Sequence, residues 1–155
     1  MSQITDISRS RDNFLPELLT VWEDSVRSSH EFLSEQDIEN LKPMVLSALQ
    51  AVPKLFCLFH EKECGVIGFM GVDGGMLEML FLASAWRGQG YGKRMICYAI
   101  DELKISRVDV NEQNPHARRF YERAGFSVYA RSELDGQGNP FPVLHMKLEL
   151  SNWCG

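Results

Sequence analysis

The spacing of apolar residues predicts that the chain begins with a short strand and a helix. A strand is predicted at residues 3–8. From Phe14 to Val26, apolar residues recur every three or four positions, which places them on one face of a helix. Asp12 is the expected N-cap of this helix, because its side chain can accept a hydrogen bond from a free backbone N–H.

A second helix is predicted to begin after Ser34. Asp37 follows three residues later, so both side chains can serve free N–H groups at the helix start. Apolar residues continue at helical spacing from there to Leu49. Pro43 lies inside this pattern and removes a backbone donor, so we expect a kink or a division into two segments.

Seven strands and four helices account for the whole pattern. Short apolar runs at residues 55–60, 64–72 and 76–83 are separated by turns rich in glycine or charge, which predicts an antiparallel meander. The remaining elements are predicted in the order helix, strand, helix, strand and strand, at residues 90–103, 105–110, 114–125, 126–131 and 143–150. The sequence thus predicts a single α+β domain over residues 1–155, with a mixed, mostly antiparallel sheet flanked by helices.

Composition and charge exclude several classes of protein. The chain has 155 residues, 45% hydrophobic and 24% charged, which suits one globular core. No apolar run reaches the ~18 residues of a membrane span, and no secretory signal is visible at the N-terminus. The net charge of −5 argues against nucleic acid as the main partner and is compatible with a cationic substrate.

The four cysteines are scattered along the chain. None forms a Cys-x-x-Cys pair, so we expect neither a zinc site nor a disulfide framework, and a reducing cytoplasm is the expected location. They are Cys57, Cys64, Cys97 and Cys154.

A glycine-rich segment between a predicted strand and a predicted helix is the first candidate site. Bare backbone N–H groups and a helix N-terminus together favour an anion, and a diphosphate is the expected guest. A Walker phosphate loop is excluded, because Arg94 stands where Lys93 should be followed by Ser or Thr. The spacing of Gly88, Gly90 and Gly92 also fails the dinucleotide fingerprint. At this point a glycine-rich turn without a ligand stays open as an alternative.

A second motif gives the first a specific meaning. Residues 114–126 match Asn-x-x-Ala-x-x-Phe-Tyr-x-x-x-Gly-Phe in full, and Arg87 to Gly92 match Arg/Gln-x-x-Gly-x-Gly/Ala. With both motifs in this order and separation, the chain resembles the GNAT N-acetyltransferases over nearly its whole length, and its small bacterial members most closely. This resemblance implies a sheet whose central strands splay apart at the cofactor cleft.

The same resemblance implies that acetyl-CoA donates an acetyl group directly to a primary amine in a ternary complex. The N–H of Phe81 or Leu82 would polarise the thioester carbonyl. The glycine loop would hold the pyrophosphate and the preceding strand the pantetheine, with two asparagines at the cofactor arm. The implied cofactor-binding residues are Leu80, Phe81, Leu82, Arg87, Gly88, Gln89, Gly90, Tyr91, Gly92, Lys93, Asn111 and Asn114.

Two residues are the candidate catalytic groups. The resemblance implies that Tyr121 protonates the departing thiolate; the alternative is a core aromatic residue. Glu78 is the only charge in an apolar strand, and burial would raise its pKa and make it a base for the acceptor amine. Glu78 could instead bind the substrate ammonium or pair with a basic neighbour. His30 and, more weakly, His145 are other candidates for the base.

The acceptor stays open between a protein lysine, an α-amine and a small amine, with the resemblance favouring protein lysine. A non-catalytic acyl-CoA-binding module is the alternative function. The acceptor is expected to be chosen by the segment between the first two helices and by the loop at residues 135–142. No metal, nucleic acid or membrane is implied, and a homodimer is compatible with the family.

Overall fold

The structure is a computed structural model that describes residues 3–29, 32–60, 62, 65–149 and 154. Within these residues the chain forms seven strands in one mixed sheet, in the order β1-β2-β3-β4-β5-β7-β6, and four α-helices. The strands are β1 (Gln3–Asp6), β2 (Lys54–Phe59), β3 (Val66–Asp73), β4 (Met76–Leu82), β5 (Arg107–Asn111), β6 (Phe126–Ser132) and β7 (Val143–Leu148). The helices are α1 (Leu15–Ser29), α2 (Glu35–Ala51), α3 (Tyr91–Asp101) and α4 (Pro115–Arg123). The predicted fold class is confirmed.

Helix α1 begins later than the sequence pattern predicts. Asp12 lies inside a 3-10 turn (Arg11–Asn13), so its predicted role as the N-cap is wrong. The physical reason is a tertiary contact: the Arg11 guanidinium donates to the carbonyl oxygens of Leu49 and Val52, at 2.8 and 2.7 Å, and ties this turn to the end of α2.

Helix α2 begins as predicted and continues through its proline. The Asp37 N–H donates to the Ser34 side chain at 3.1 Å, and the Ser34 N–H donates to the Asp37 carboxylate at 2.9 Å, which completes the capping box. Pro43 lies within one continuous helix, so the predicted division into two segments is wrong. Burial of Ile38 before the proline and Leu49 after it holds both halves on the same core.

The sheet opens between β4 and β5. Strands β2, β3 and β4 form the predicted meander. The parallel pairing of β4 with β5 comprises only Met76 with Arg107 and Leu77 with Val108. Beyond these pairs β4 is paired only with β3, and β5 only with β7. The predicted splay of the central strands is therefore present.

The two faces of the sheet carry separate cores. One contains buried residues of α3 and α4, such as Ile96 and Tyr121, together with Val108 and Val110 of β5. The other packs α1 and α2 on β2, β3 and β4. The opening between β4 and β5 thus has helices on both sides.

One disulfide corrects the expectation drawn from the cysteines. Cys97 on α3 is bonded to Cys154, and their Cα atoms are 5.3 Å apart. The two residues are 57 positions apart, and only the tertiary fold brings them together, so their spacing gave no signal. Because disulfides are rare in reducing compartments, the expected cytoplasmic location stays a prediction. Cys57 is buried as a free thiol, and burial raises its pKa to about 12.

The described residues contain no group of three or more side chains able to hold a metal ion. In the same part of the chain, no helix is both long and apolar enough to cross a membrane.

Candidate active site

The glycine loop joins the opening in the sheet to the N-terminus of α3. Gly88 and Gly90 have φ values of 73° and 88°, a left-handed backbone that favours glycine, and Gly90 is the N-cap of α3. A Cβ atom added at either position would meet nothing within 4 Å. The conformation, rather than crowding by the protein, therefore requires glycine, and the space in front of the loop is open.

Helix α1 holds the loop in place from the other side. The Arg87 guanidinium donates to the carbonyl and hydroxyl oxygens of Ser25, at 3.0 and 3.1 Å. The backbone N–H and hydroxyl of Ser84 donate to the Asp24 carboxylate, at 2.6 and 3.0 Å. Ser25 is a buried polar residue, so this contact replaces solvent at the end of α1. The loop is thus fixed to α1, the helix that leads into the segment expected to choose the acceptor.

A cavity of about 710 Å³ lies along the loop and the open edge of β4. Nine of the twelve predicted cofactor-binding residues line it. They are Leu80, Phe81, Leu82, Arg87, Gly88, Gly90, Gly92, Lys93 and Asn114. Residues from two sequence motifs and one predicted strand therefore meet at one cavity.

Three predicted cofactor-binding residues lie outside this lining. Gln89 turns back and donates its side-chain amide to the carbonyl of Ala85 at 3.3 Å. Tyr91 packs edge-on against Trp86, with ring centroids 5.9 Å apart. Asn111 is half-buried at the end of β5, and its carbonyl accepts from the backbone N–H of Asn114 at 3.0 Å. Their roles toward a cofactor stay predictions.

Asn114 performs a structural task at the same cavity. Its side-chain oxygen accepts a hydrogen bond from the Ala117 backbone N–H at 3.2 Å, which makes it the N-cap of α4. The residue is 6% exposed. Asn114 is therefore a helix cap that also lines the cavity, and its predicted contact with the cofactor arm stays a prediction.

Tyr121 is buried in the core formed by α3 and α4. Its ring packs edge-on against Phe120, at 5.1 Å between centroids, and Phe126, at 5.9 Å. Burial raises the pKa of the phenol above its ordinary value, which keeps it protonated. Phe120 lines the cavity and Tyr121 does not, so the catalytic role of Tyr121 stays a prediction.

Glu78 occupies an irregularity in β4. Gly71 pairs with Met79 and Val72 pairs with Leu77, so Glu78 is the extra residue of a β-bulge, a feature that often re-aims side chains near active sites. Its side chain is exposed, and the expectation that it is buried is wrong.

The pKa of Glu78 is nevertheless raised. Partial desolvation is the main cause, the negative charges of Asp73 and Asp109 add to it, and Arg107 acts in the opposite direction. Glu78 does not line the cavity and, in the described part of the chain, forms no ion pair. Glu78 thus lies outside the lining of the cavity, and its role as the base stays a prediction.

The histidine candidates differ in position. His30 lies outside the described residues. His145 lies on β7, directly opposite Asp109 on β5, with its Nδ1 2.7 Å from the Asp109 Oδ1. His145 therefore lies on the same part of the sheet as Glu78. The distance between the two residues in the sequence gave no indication of this.

Several lining residues were not predicted. The end of α1 contributes three serines and Phe32 follows it, while Gln113 and the motif at residues 114–126 contribute the others. They are Ser25, Ser28, Ser29, Phe32, Gln113, Pro115, His116, Ala117, Phe120 and Arg123. The position of the motif residues on the helix that begins after Asn114 could have predicted that they line the cavity. The sequence around the serines contains no motif that would predict this.

The two segments expected to choose the acceptor are in contact. The rings of Phe32, between α1 and α2, and Phe141, between β6 and β7, lie 5.9 Å apart. Phe32 also lines the cavity. The acceptor-selecting segments therefore lie beside the cofactor cavity.

Comparison with known proteins gives the family. The model of the acetyltransferase (GNAT) domain matches residues 29–150. The chain is 36% identical over 143 residues to the peptidyl-lysine N-acetyltransferase YjaB of Escherichia coli K12, covering 92% of this chain and 96% of that protein. YjaB of Salmonella typhimurium is 35% identical over 141 residues, with 91% and 96% covered.

Solved structures agree with this result. The solution structure of apo-form YjaB from Escherichia coli has a TM-score of 0.84 and 33% identity, and the match covers 95% of this chain and 97% of that chain. The PaiA N-acetyltransferase of Thermoplasma acidophilum, solved in complex with coenzyme A, shares the fold with a TM-score of 0.64 at 18% identity. The chain therefore belongs to the GNAT family of N-acetyltransferases, and its resemblance to the small YjaB-type members is confirmed.

Proposed function

We propose that this enzyme transfers an acetyl group from acetyl-CoA directly to the side-chain amine of a lysine in a protein, within a ternary complex. The observation that carries the proposal is the cavity that joins the glycine loop to the open edge of β4. The YjaB proteins that this chain resembles over most of its length are peptidyl-lysine N-acetyltransferases.

The shape and chemistry of the cavity suit coenzyme A. The left-handed glycines leave space for a pyrophosphate close to the backbone N–H groups at the start of α3. Lys93 and Arg87, which both line the cavity, contribute positive charge there. The pairing of β4 with β5 stops at Leu77, so the backbone groups of β4 beyond this residue are available to the pantetheine amides.

Acetyl-CoA supplies an activated acyl group as a thioester. In the transfer, the amine nitrogen forms a bond to the carbonyl carbon, and the carbon–sulfur bond breaks. A backbone N–H of Phe81 or Leu82, at the open edge of β4, polarises the carbonyl oxygen. Such a donor contributes about 3 kcal/mol to lowering the barrier.

Two side chains handle the protons in this proposal. Glu78 accepts a proton from the acceptor ammonium, directly or through water, and its raised pKa makes it a stronger base than an ordinary carboxylate. Tyr121 gives its phenolic proton to the thiolate; burial raises the pKa of the phenol, which keeps it protonated before the transfer and also makes it a weaker acid. A thiolate whose conjugate acid has a pKa near ~8.5 is basic enough to be protonated at neutral pH.

The acceptor side is acidic, which suits a lysine. Glu78 lies near two further carboxylates, Asp73 and Asp109, whose charges act on it. The end of α1 and Phe32 line the cavity, and the Phe32 ring contacts that of Phe141. A long cationic side chain matches this combination of an apolar border and carboxylates.

The experiment is an acceptor panel with intact-mass readout. The protein is incubated with acetyl-CoA and, separately, with lysine peptides, peptides that carry only a free α-amine, and small polyamines, while thiol release is followed. We expect thiol release with lysine peptides and one added acetyl mass on the lysine. Binding of acetyl-CoA without turnover on any amine would instead support a non-catalytic acyl-CoA-binding module.

A further inference from the structure

Four polar side chains form a row across four neighbouring strands. They are Glu78 on β4, Asp109 on β5, His145 on β7 and Ser132 on β6, and these strands are adjacent in the sheet. We call this set the polar row. Val108 and Val110 of β5 belong to the core with α3 and α4, so Asp109 between them faces the opposite side of the sheet.

Hydrogen bonds connect three members of the polar row. His145 Nδ1 lies 2.7 Å from Asp109 Oδ1, and His145 Nε2 lies 2.7 Å from the Ser132 hydroxyl. An ionised carboxylate can only accept, so Nδ1 carries the proton that is donated to Asp109. In the neutral imidazole, Nε2 then accepts from Ser132. Both ring nitrogens are thereby used to hold His145 in one orientation.

The fourth member lies beside this chain of hydrogen bonds. Leu77 and Val108 form the last pair between β4 and β5, so Glu78 and Asp109 are the next residues on the two strands. Their charges interact, together with those of Asp73 and Arg107. Glu78 therefore lies where the carboxylate of Asp109 can influence its affinity for a proton.

Besides these hydrogen bonds, the Tyr129 ring lies beside His145, and Lys147 lies over the Tyr129 ring. The Tyr129 ring centroid lies 6.3 Å from that of His145, and Lys147 Nζ lies 5.9 Å from the Tyr129 centroid. The carboxylate of Asp109 is thus the group that binds the imidazole directly, with the Ser132 hydroxyl on its other side.

We propose that Asp109, His145 and Ser132 are positioning residues for Glu78. The imidazole holds the Asp109 carboxylate beside Glu78, and the negative charge of Asp109 makes Glu78 accept the proton of the acceptor amine more readily. The inference rests on the proposed function, in which Glu78 is the base. The amine N–H bond breaks, its electron pair stays on nitrogen and the proton moves to Glu78; Asp109 and His145 exchange no proton.

The test is the pH dependence of kcat/KM for a lysine peptide. The lysine titrates on the alkaline side, so the acid limb of the profile reports the base. Asp109→Asn should move this limb to lower pH by roughly 0.5–1 unit, because a neighbouring negative charge is lost. His145→Ala should move the limb in the same direction by less.

A double-mutant cycle distinguishes a positioning role of His145, acting through Asp109, from a general structural effect of its removal. If His145 acts through Asp109, the double variant D109N/H145A should have the same acid limb as D109N alone. Additive shifts, or an acid limb that D109N leaves in place, would overturn the inference. Asp101→Asn on α3 is the matched control, because Asp101 is not among the charges that act on Glu78, and its profile should be that of the wild type.

The failure of the inference can be told from failure of the proposed function. If the wild type acetylates no amine, both are wrong. If the wild type is active and Glu78→Gln abolishes its acid limb while D109N changes nothing, only the positioning role is wrong. Ser132→Ala is a second, less disruptive variant, and it should shift the limb in the direction of H145A with an unchanged melting temperature.

Discussion

The guanidinium of Arg87 donates to both oxygen atoms of Ser25, at 3.0 Å to the carbonyl and 3.1 Å to the hydroxyl. The two residues are 62 positions apart, and one belongs to the glycine loop and the other to α1. Arg87 was expected mainly as a positive charge for a pyrophosphate. The structure shows that it also fixes the loop to α1.

Removal of the Arg87 side chain should weaken acetyl-CoA binding about tenfold or more, because both a charge-assisted contact and the anchored loop are lost. Isothermal titration with acetyl-CoA measures this. Ser25→Ala retains the carbonyl contact and should have a much smaller effect. Arg9→Ala, an exposed arginine far from the loop in sequence, is the control. Equal affinities for all variants would contradict the role of Arg87.

Tyr121→Phe should lower kcat by about a hundredfold or more while acetyl-CoA affinity stays unchanged, because only the proton donor is removed. The ring contacts with Phe120 and Phe126 are retained. In the described part of the chain the Tyr121 hydroxyl has no hydrogen-bond partner, so the melting temperature should not fall.

Tyr98→Phe on α3 is the matched control for this experiment, since it removes a hydroxyl from a partly buried tyrosine outside the site. Both variants should melt like the wild type, and only Tyr121→Phe should lose turnover. A Tyr121→Phe enzyme with full kcat would refute the proton-donor role.

Glu78 should reduce stability at neutral pH. Its pKa is raised in the folded state, so the folded protein binds more protons than the unfolded one between the ordinary and the raised pKa. Stability is therefore lost as the pH rises from the ordinary pKa of the carboxyl through its raised value. Thermal melts of Glu78→Gln and the wild type at acid and neutral pH measure this. The variant should melt higher than the wild type at neutral pH, and the difference should shrink at acid pH; the opposite trend would contradict the raised pKa.

The disulfide between Cys97 and Cys154 should stabilise the fold by about 2–4 kcal/mol, because it closes a long loop in the unfolded chain. For the wild type, the free energy of unfolding from denaturant titrations should be lower by this amount when a reducing agent is present. Cys97→Ser should show no effect of the reducing agent. Cys57→Ser is not a suitable control because Cys57 is buried in the core, so the paired melts of one protein are the comparison.

The sequence predicted those features that depend on neighbouring residues. The capping box of Ser34 and Asp37 and the glycines of the loop are local, and each has a physical reason that can be read from the residue types. The splayed strands and the fold class followed from two linked motifs. The same motifs and the strand before them also identified nine predicted cofactor-binding residues that line one cavity.

Features that depend on distant contacts were missed or wrong. The start of α1 depends on Arg11 and the end of α2, and the disulfide joins two residues that only the fold brings together. Glu78 was expected to be buried because it lies in an apolar strand, but a β-bulge exposes it. The contact of His145 with Asp109 likewise requires the pairing of β5 with β7, which no local pattern indicates.

The central claim is direct transfer from acetyl-CoA to a lysine amine. The most direct measurement is the initial rate of thiol release over a matrix of acetyl-CoA and lysine-peptide concentrations. We predict saturation with both substrates and intersecting double-reciprocal lines, as a ternary complex requires, with one acetyl group added to the peptide for each thiol released. Thiol release that does not exceed the blank without peptide would contradict the claim, and parallel lines would contradict direct transfer.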